Sequence, residues 1–314
     1  MNLQQNILQV LAYFDVFHYP LLAEEIASYL QQPVTTAVIN NELENLQQQN
    51  RIYRLDNFYS LRDDVFLAIR RKNGNLLAAQ EMKKAARSAS VLYQFPFVKG
   101  LAISGSLSKN YADENTDIDF FIITAPNRVW IARTLMHIFY KWAVLTKKQR
   151  LYCMNYYISE EALLIPEQNI FTAMEIITLI PVKGEAVVAD FVRTNKWVKT
   201  YFPNETVKPI ISLENKKGFI RRVTEFFLQG KTGNKIDNWL YKLTAWHWQQ
   251  NRQQQKLNNK GVLTSMLAEK QFAKPDPKNF QQKILQQYEA KINELNNGIQ
   301  TKPYVVKQFS FAGK

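Results

Sequence analysis

Leu101–Thr124 reads LAISGSLSKNYADENTDIDFFIIT, and the architecture of the chain turns on this stretch. Its pattern predicts a buried strand over Leu101–Ser104, a Gly105-Ser106 turn and a short helical or looped excursion. A second strand then carries Asp117 and Asp119 ahead of the apolar run Phe120–Ile123. Side chains alternate along a strand, so Asp117 and Asp119 fall on one face and Ile118 on the other. Two carboxylates that close repel each other, and one is raised in pKa unless a cation lies between them. Oxygen ligands of this kind suit Mg²⁺, which is commonly held by one or two carboxylates together with substrate phosphates. The glycine permits close backbone approach, and a helix after the turn directs N–H groups and the Ser106 hydroxyl toward an anion. An anion cradle joined to a metal clamp by ten residues describes a phosphoryl-transfer site.

This order, Gly-Ser, ten residues, Asp-x-Asp and an apolar strand, resembles the signature of the DNA polymerase β-like nucleotidyltransferase superfamily. The resemblance is carried by Leu101–Thr124 and extends over Lys99–Glu160. It implies that Gly105, Ser106 and Lys109 hold a nucleoside triphosphate and that Asp117 and Asp119 bind Mg²⁺ or Mn²⁺. Lys109 stands where many relatives have arginine, and Asn110 where many have glycine; asparagine tolerates φ > 0 better than most residues. The implied fold is a mixed sheet with helices on one face. The sequence departs from the family on its third strand, Leu151–Ser159 (LYCMNYYIS). Relatives commonly carry a third carboxylate there, as metal ligand and base, and this strand has no acid. Alternation puts Cys153, Asn155 and Tyr157 on one face, and Asn155 occupies the place of the missing acid. An amide oxygen can ligate Mg²⁺ but adds no charge and takes no proton. Glu160 and Glu161 at the strand end are either substitutes for it or the first acids of a helix.

Residues 1–62 read as a winged-helix-like domain. Ile7, Leu8, Leu11 and Phe14 recur at helical spacing before Pro20, and Ala23–Leu30 is a second short helix. Thr35 or Thr36 caps a third, with Val38, Ile39, Leu43 and Leu46 as its apolar stripe. Arg51–Arg54 and Phe58–Arg62 form a hairpin across Asp56-Asn57. The segment holds three arginines, no lysine and six acids, and its third helix has no basic residue. Affinity for duplex DNA rests on neutralising phosphates, so duplex DNA is not an expected partner and a structural or protein-contact role is.

A basic helix follows from Asp63 to Tyr93, interrupted at Asn73-Gly74; Arg70, Arg71, Lys72, Lys83, Lys84 and Arg87 make either a solvated face or a positive wall near the triphosphate. Asn127–Lys148 is a long amphipathic helix. Asn169–Leu179 is another, on which Glu175 is either the polar face or a site residue, and Pro203 and Pro209 mark a connector. From Asn215 onward 18 Lys and Arg face six acids, a net +12 of the chain's +13. Helical patterns dominate there (Phe219–Leu228, Ile236–Gln255, Phe280–Leu295), broken by Pro275 and Pro277, with Trp239, Trp246 and Trp248 read as core or interface anchors. Such a region suits RNA, the nucleotide's phosphates or an anionic acceptor.

The chain has 314 residues, 46% of them hydrophobic, which is ample for a core. The single cysteine, Cys153, excludes an intramolecular disulfide and reads as an inert core thiol. Three scattered histidines give no zinc pattern. No apolar run approaches a membrane span, and the N-terminus lacks a cleavable leader pattern, so a cytoplasmic protein with no membrane partner is expected. The expectation is an α+β protein in three parts: a winged-helix-like domain (1–62), a nucleotidyltransferase-like core (63–214) and a basic helical region (215–314). It is a metal-dependent nucleotidyltransferase with an unknown acceptor, or a non-catalytic relative that binds a nucleotide or RNA.

Overall fold

The structure, a computed structural model, describes residues 2–204, 218–253, 265–276 and 279–297. Pro209, Pro277 and the end of the helix expected to reach Gln255 lie outside them. The described residues gather into two compact units, one from 2–72, 202–204 and 283–297, the other from 73–201, 218–253, 265–276 and 279–282. These boundaries differ from the expected three parts chiefly because the last hundred residues are divided between both units.

The first unit starts with three helices: α1 (Leu3–Asp15), α2 (Ala23–Ser28) and α3 (Thr36–Gln48). Asn2 caps α1 and Thr35 caps α3, each side-chain oxygen accepting a backbone N–H of the first turn. A hairpin of β1 (Tyr53–Leu55) and β2 (Phe58–Ser60) follows, with Asp56 at φ 58° in its turn. Ile7, Leu8, Leu11, Phe14, Ile39, Leu43 and Leu46 are buried as their spacing predicts, whereas Val38 is exposed. Asp15 anchors this unit. Arg62 donates to it from 2.7 and 3.1 Å, and Lys291 of the last helix, α11 (Phe280–Asn296), is ion-paired with it. Burial alone would raise the Asp15 carboxyl, but the hydrogen bonds from Arg62 and Lys291 hold it below the ordinary range.

The long helix α4 (Val65–Leu92) begins in this unit and runs into the second without the expected break at Asn73-Gly74. A Cβ on Gly74 would lie 2.3 Å from the Tyr111 ring, so that glycine admits a neighbour rather than interrupting the helix. Arg71 is neither on a solvated face nor in a positive wall: it is buried, donating to the Pro20 carbonyl and Glu25 and stacked 3.8 Å over Tyr19.

The second unit is built on a mixed sheet of six strands in the order β6-β3-β4-β5-β8-β7. In chain order these are β3 (Val98–Ser104), β4 (Asp119–Thr124), β5 (Cys153–Ser159), β6 (Ile180–Lys183), β7 (Ser265–Glu269) and β8 (Phe272–Asp276). Only β4 and β5 run parallel, joined by α6 (Val129–Leu145). The one-turn α5 (Gly105–Ser108) follows β3, and α7 (Ile170–Ile177) and α8 (Glu185–Thr194) flank β6. On one sheet face Leu101, Ile103, Phe120, Ile122, Tyr157 and Val182 pack with Ala85 and Ala89 of α4 and Val129, Trp130 and Met136 of α6. The expectation of helices on one face is corrected: Phe121 points the other way and meets Phe191 of α8, with ring centroids 4.6 Å apart. The C-terminal region is also not purely helical. After α9 (Phe219–Phe227) and α10 (Gly230–Gln253), the β7–β8 hairpin extends the sheet, with Tyr157 and Ile158 paired to Ala273 and Phe272.

Arg221 fastens α9 to this core. It is 1% exposed, donates to the Tyr93 carbonyl and, at 2.5 Å, to the Val98 carbonyl, and pairs with Glu225 at 2.8 Å. Glu225 in turn accepts the Phe97 N–H at 2.9 Å. Removing one partner of a buried charged network leaves the other uncompensated, at a cost of about 3–5 kcal/mol. Arg221→Leu should therefore lower the denaturation midpoint by that equivalent in a urea titration. A variant with Arg221→Leu and Glu225→Leu together should recover part of the loss.

Candidate functional site

Gly105 closes β3 at φ +69°, a conformation that favours glycine. A Cβ there would lie 2.2 Å from Asp119 Oδ2, so the Asp119 carboxylate rests on the bare Cα of the turn. The β3–β4 register places them together, since Ser104 is opposite Asp119. Asp119 Oδ1 accepts a 2.7 Å hydrogen bond from Asn155 Nδ2, and the Cys153 thiol donates to Asn155 Oδ1 at 3.2 Å. Asp117 precedes β4 rather than lying within it, yet its charge is felt at Asp119. The structure thus brings Gly105, Asp119 and Asn155 into contact, with Asp117 beside them.

The register between β4 and β5 shifts between Phe120 and Phe121, leaving Asn155 as the extra residue of a β-bulge. This overturns the expectation that Cys153, Asn155 and Tyr157 share a face. Tyr157 packs with Phe120 and Ile122 in the core, while Cys153 and Asn155 turn to Asp119. Cys153 is correspondingly half-buried at the site rather than an inert core thiol. Glu160 and Glu161 are not substitutes for a third acid. The Glu160 N–H pairs with Thr124 at the far end of β4, about 16 Å from Asp119 at strand rise.

Of the two readings of Glu175, polar face of α7 or site residue, the fold favours the second, since it lies at the Gly105 turn. Its Oε2 accepts the Gly105 N–H at 3.3 Å, and its Oε1 accepts from Lys109 Nζ at 2.7 Å. Lys109 Nζ also donates to the Gly105 carbonyl at 3.1 Å. One turn further along α7, Thr178 meets Ser108 of α5 at 3.3 Å in a buried contact. The signal was present: Glu175 and Thr178 stand three apart in TAMEIITL, a polar pair on a helix whose only other polar residue is Thr172. Lys109 and the Gly105 N–H, both expected to meet a phosphate, thus meet a carboxylate, and Ser106 is half-buried beside them. Asn110 adopts φ 59°, the left-handed conformation its type tolerates.

Burial is the main cause that pushes the Asp119 carboxyl up to about 6; Glu175 and Asp117 push it further, while hydrogen bonds from Cys153 and Asn155 oppose the rise. Among the described residues no group of three or more His, Cys, Asp or Glu side chains is arranged to hold a metal ion. The all-oxygen pair Asp117 and Asp119, mutually repelling, fits the lesser demand of Mg²⁺ shared with substrate oxygens. No protein-family model, curated protein or solved structure matches the chain.

The raised Asp119 pKa carries a stability consequence. The folded state binds more protons than the unfolded one between the ordinary value of 3.8 and about 6, so stability falls as pH rises through this window. Asp119→Asn removes the cost of the buried charge. It should stabilise the protein by about 1–3 kcal/mol at pH 7.5, with the gain vanishing toward pH 4. Thermal melts of both proteins across this range check the sign.

Proposed function

We propose that the chain is a metal-dependent nucleotidyltransferase that moves a nucleoside monophosphate from a triphosphate to an acceptor and releases pyrophosphate. The observation that carries this reading is the meeting of the Gly105 turn, Asp119 and Asn155 at one end of β3, β4 and β5. The nucleotidyltransferase-like identity of the sheet and the winged-helix-like identity of the first three helices and hairpin belong to the same proposal. Asp117 and Asp119 would hold Mg²⁺ or Mn²⁺, which supplies electrostatic stabilisation of the charge that builds on the transferring phosphoryl oxygens. Gly105, Ser106 and Lys109 orient the triphosphate, with Lys109 exchanging Glu175 for a phosphate oxygen. An acceptor oxygen attacks the α-phosphorus and the bond to the β-phosphate oxygen breaks. Asn155 holds Asp119 in place and takes no proton, so the site favours an acceptor that is already anionic, such as a phosphate.

One observation favours a second reading, a non-catalytic nucleotide- or RNA-binding protein. The cradle is filled by an internal carboxylate, Glu175, and the third-strand position offers no base.

A pyrophosphate-release screen of the four nucleoside triphosphates with Mg²⁺, against pooled small-molecule, protein and RNA acceptors, separates the two. Asp117→Asn with Asp119→Asn should abolish Mg²⁺-dependent nucleotide binding with the circular dichroism spectrum unchanged. Asn155→Asp should tighten Mg²⁺ binding and raise turnover. Tighter metal with no turnover on any acceptor selects the non-catalytic reading, and no nucleotide binding by either protein rejects both nucleotide readings. Glu175→Gln should strengthen triphosphate binding roughly tenfold, the scale of one ion pair freed near a surface, as measured by calorimetry.

A further inference from the structure

α9 is an amphipathic helix held from its polar side. Arg221 and Glu225 bind it to the sheet, while Phe219, Ile220, Val223, Phe226 and Phe227 recur at i, i+1, i+4, i+7 and i+8 on the outer face. Phe219, Ile220, Phe226 and Phe227 are 71–80% exposed. This reverses the usual arrangement, in which the apolar stripe faces the core. α10 repeats the device. Tyr241 and Trp248 pack inward against Trp130, while Ile236, Trp239, Leu243 and Trp246 follow a 3-4-3 spacing on another face and are exposed, the two tryptophans by 61% and 62%.

The exposed Lys, Arg, Asp and Glu side chains between residues 231 and 250 are all lysines. Arg222, Lys231, Lys235 and Lys242 are exposed, and helical spacing puts the three lysines along one margin of the α10 stripe. The only acids between residues 218 and 250 are Glu225 and Asp237. Glu225 is engaged by Arg221, and buried Asp237 accepts the Trp130 and Ile131 N–H groups at 2.9 and 2.8 Å. No acid in this stretch is left to answer the three lysines of α10.

We propose that the outer faces of α9 and α10 dock peripherally on an anionic lipid bilayer. Helices with Phe, Trp and Leu on one side and Lys or Arg on the other lie in the plane of a bilayer interface, their apolar face among the acyl chains and their cations at the headgroups. Tryptophan rings suit this boundary, and lysine stems cover apolar surface while their ammonium groups reach the phosphates. Charge complementarity selects this occupant. Two copies of the chain joined through these faces would set three exposed lysines against three. Ile220, Val223 and Leu243 offer a base neither a ring to stack on nor a hydrogen bond. Among the described residues no helix is long and apolar enough to cross a membrane, so attachment is by surface and not by span. The expectation of no membrane partner rested on spans and leader patterns alone.

The test uses the full chain and vesicles of phosphatidylcholine with and without phosphatidylglycerol. Sedimentation should show binding to the anionic vesicles at least tenfold tighter than to phosphatidylcholine alone, weakening as salt is raised. Phe226→Ser with Phe227→Ser should reduce binding at least tenfold, and Lys235→Gln and Lys242→Gln about fivefold each. All four positions are exposed, so the melting temperature should not move. Brominated lipids should quench tryptophan fluorescence, and Trp239→Phe with Trp246→Phe should remove the quenching. No binding to the anionic vesicles, or binding that these substitutions leave intact, overturns the proposal. Self-association, or RNA binding, abolished by Phe226→Ser with Phe227→Ser assigns the face to that occupant and overturns it as well.

Discussion

The Asp119 carboxylate lies against the Cα of Gly105, and the geometry of the site depends on that contact. A single methyl group at residue 105 would overlap Asp119 Oδ2 at 2.2 Å, in a backbone conformation an L side chain already resists. Given the glycine, β3 ends where β4 begins, and the chain between them can turn through α5 and return. The same turn offers its N–H to Glu175 and its carbonyl to Lys109, which joins α7 to the sheet. The contact holds a carboxylate in poor solvation, and the raised pKa of Asp119 records the cost. Asn155 and Cys153 offset part of it, and the bulge in β5 turns Tyr157 into the core while the amide stays on the Asp119 side.

Much of this was legible in the chain. Ile7 to Phe14 and Ile39 to Leu46 carry helical stripes that are buried as spaced, and the Asp56-Asn57 turn sits where a hairpin needs φ > 0. The β3–turn–β4 reading followed from apolar runs flanking a glycine. What was not legible was long-range. β6 is four residues of IPVK with a proline at the sheet edge, where a lost N–H is tolerated. β7 and β8 have no strong alternation and become strands because β5 needs a partner beyond Tyr157. A bulge shifts every later side chain to the opposite face, so the side of Tyr157 could not be read by counting from Cys153.

Net charge proved a poor guide to available charge. Arg62 and Lys291 are engaged by Asp15, Arg71 by Glu25 and the Pro20 carbonyl, Lys109 by Glu175, and Arg221 by Glu225 and two carbonyls. These cations are structural: each is paired with an acid, and Arg71, Lys109 and Arg221 also donate to backbone carbonyls. The exposed lysines of α10 have no free acid within their own helix, and this distinction, which composition cannot express, separates a charged surface from a charged interior.

The charge balance at the Gly105 turn constrains the nucleotide reading more tightly than any motif. Asp117, Asp119 and Glu175 outnumber Lys109, the cation paired with Glu175 at the turn, so these four groups are net negative once Asp119 ionises. A triphosphate is strongly anionic, and at separations of a few ångströms in a poorly solvated site its repulsion by two uncompensated carboxylates exceeds what one lysine returns. A divalent cation between the aspartates neutralises that excess, and Lys109 can then trade Glu175 for a phosphate partner while Glu175 keeps the Gly105 N–H. Metal binding and nucleotide binding are therefore one hypothesis at this site. Nucleotide affinity that survives chelation of every divalent ion contradicts both together, whichever residue fills the third-strand position.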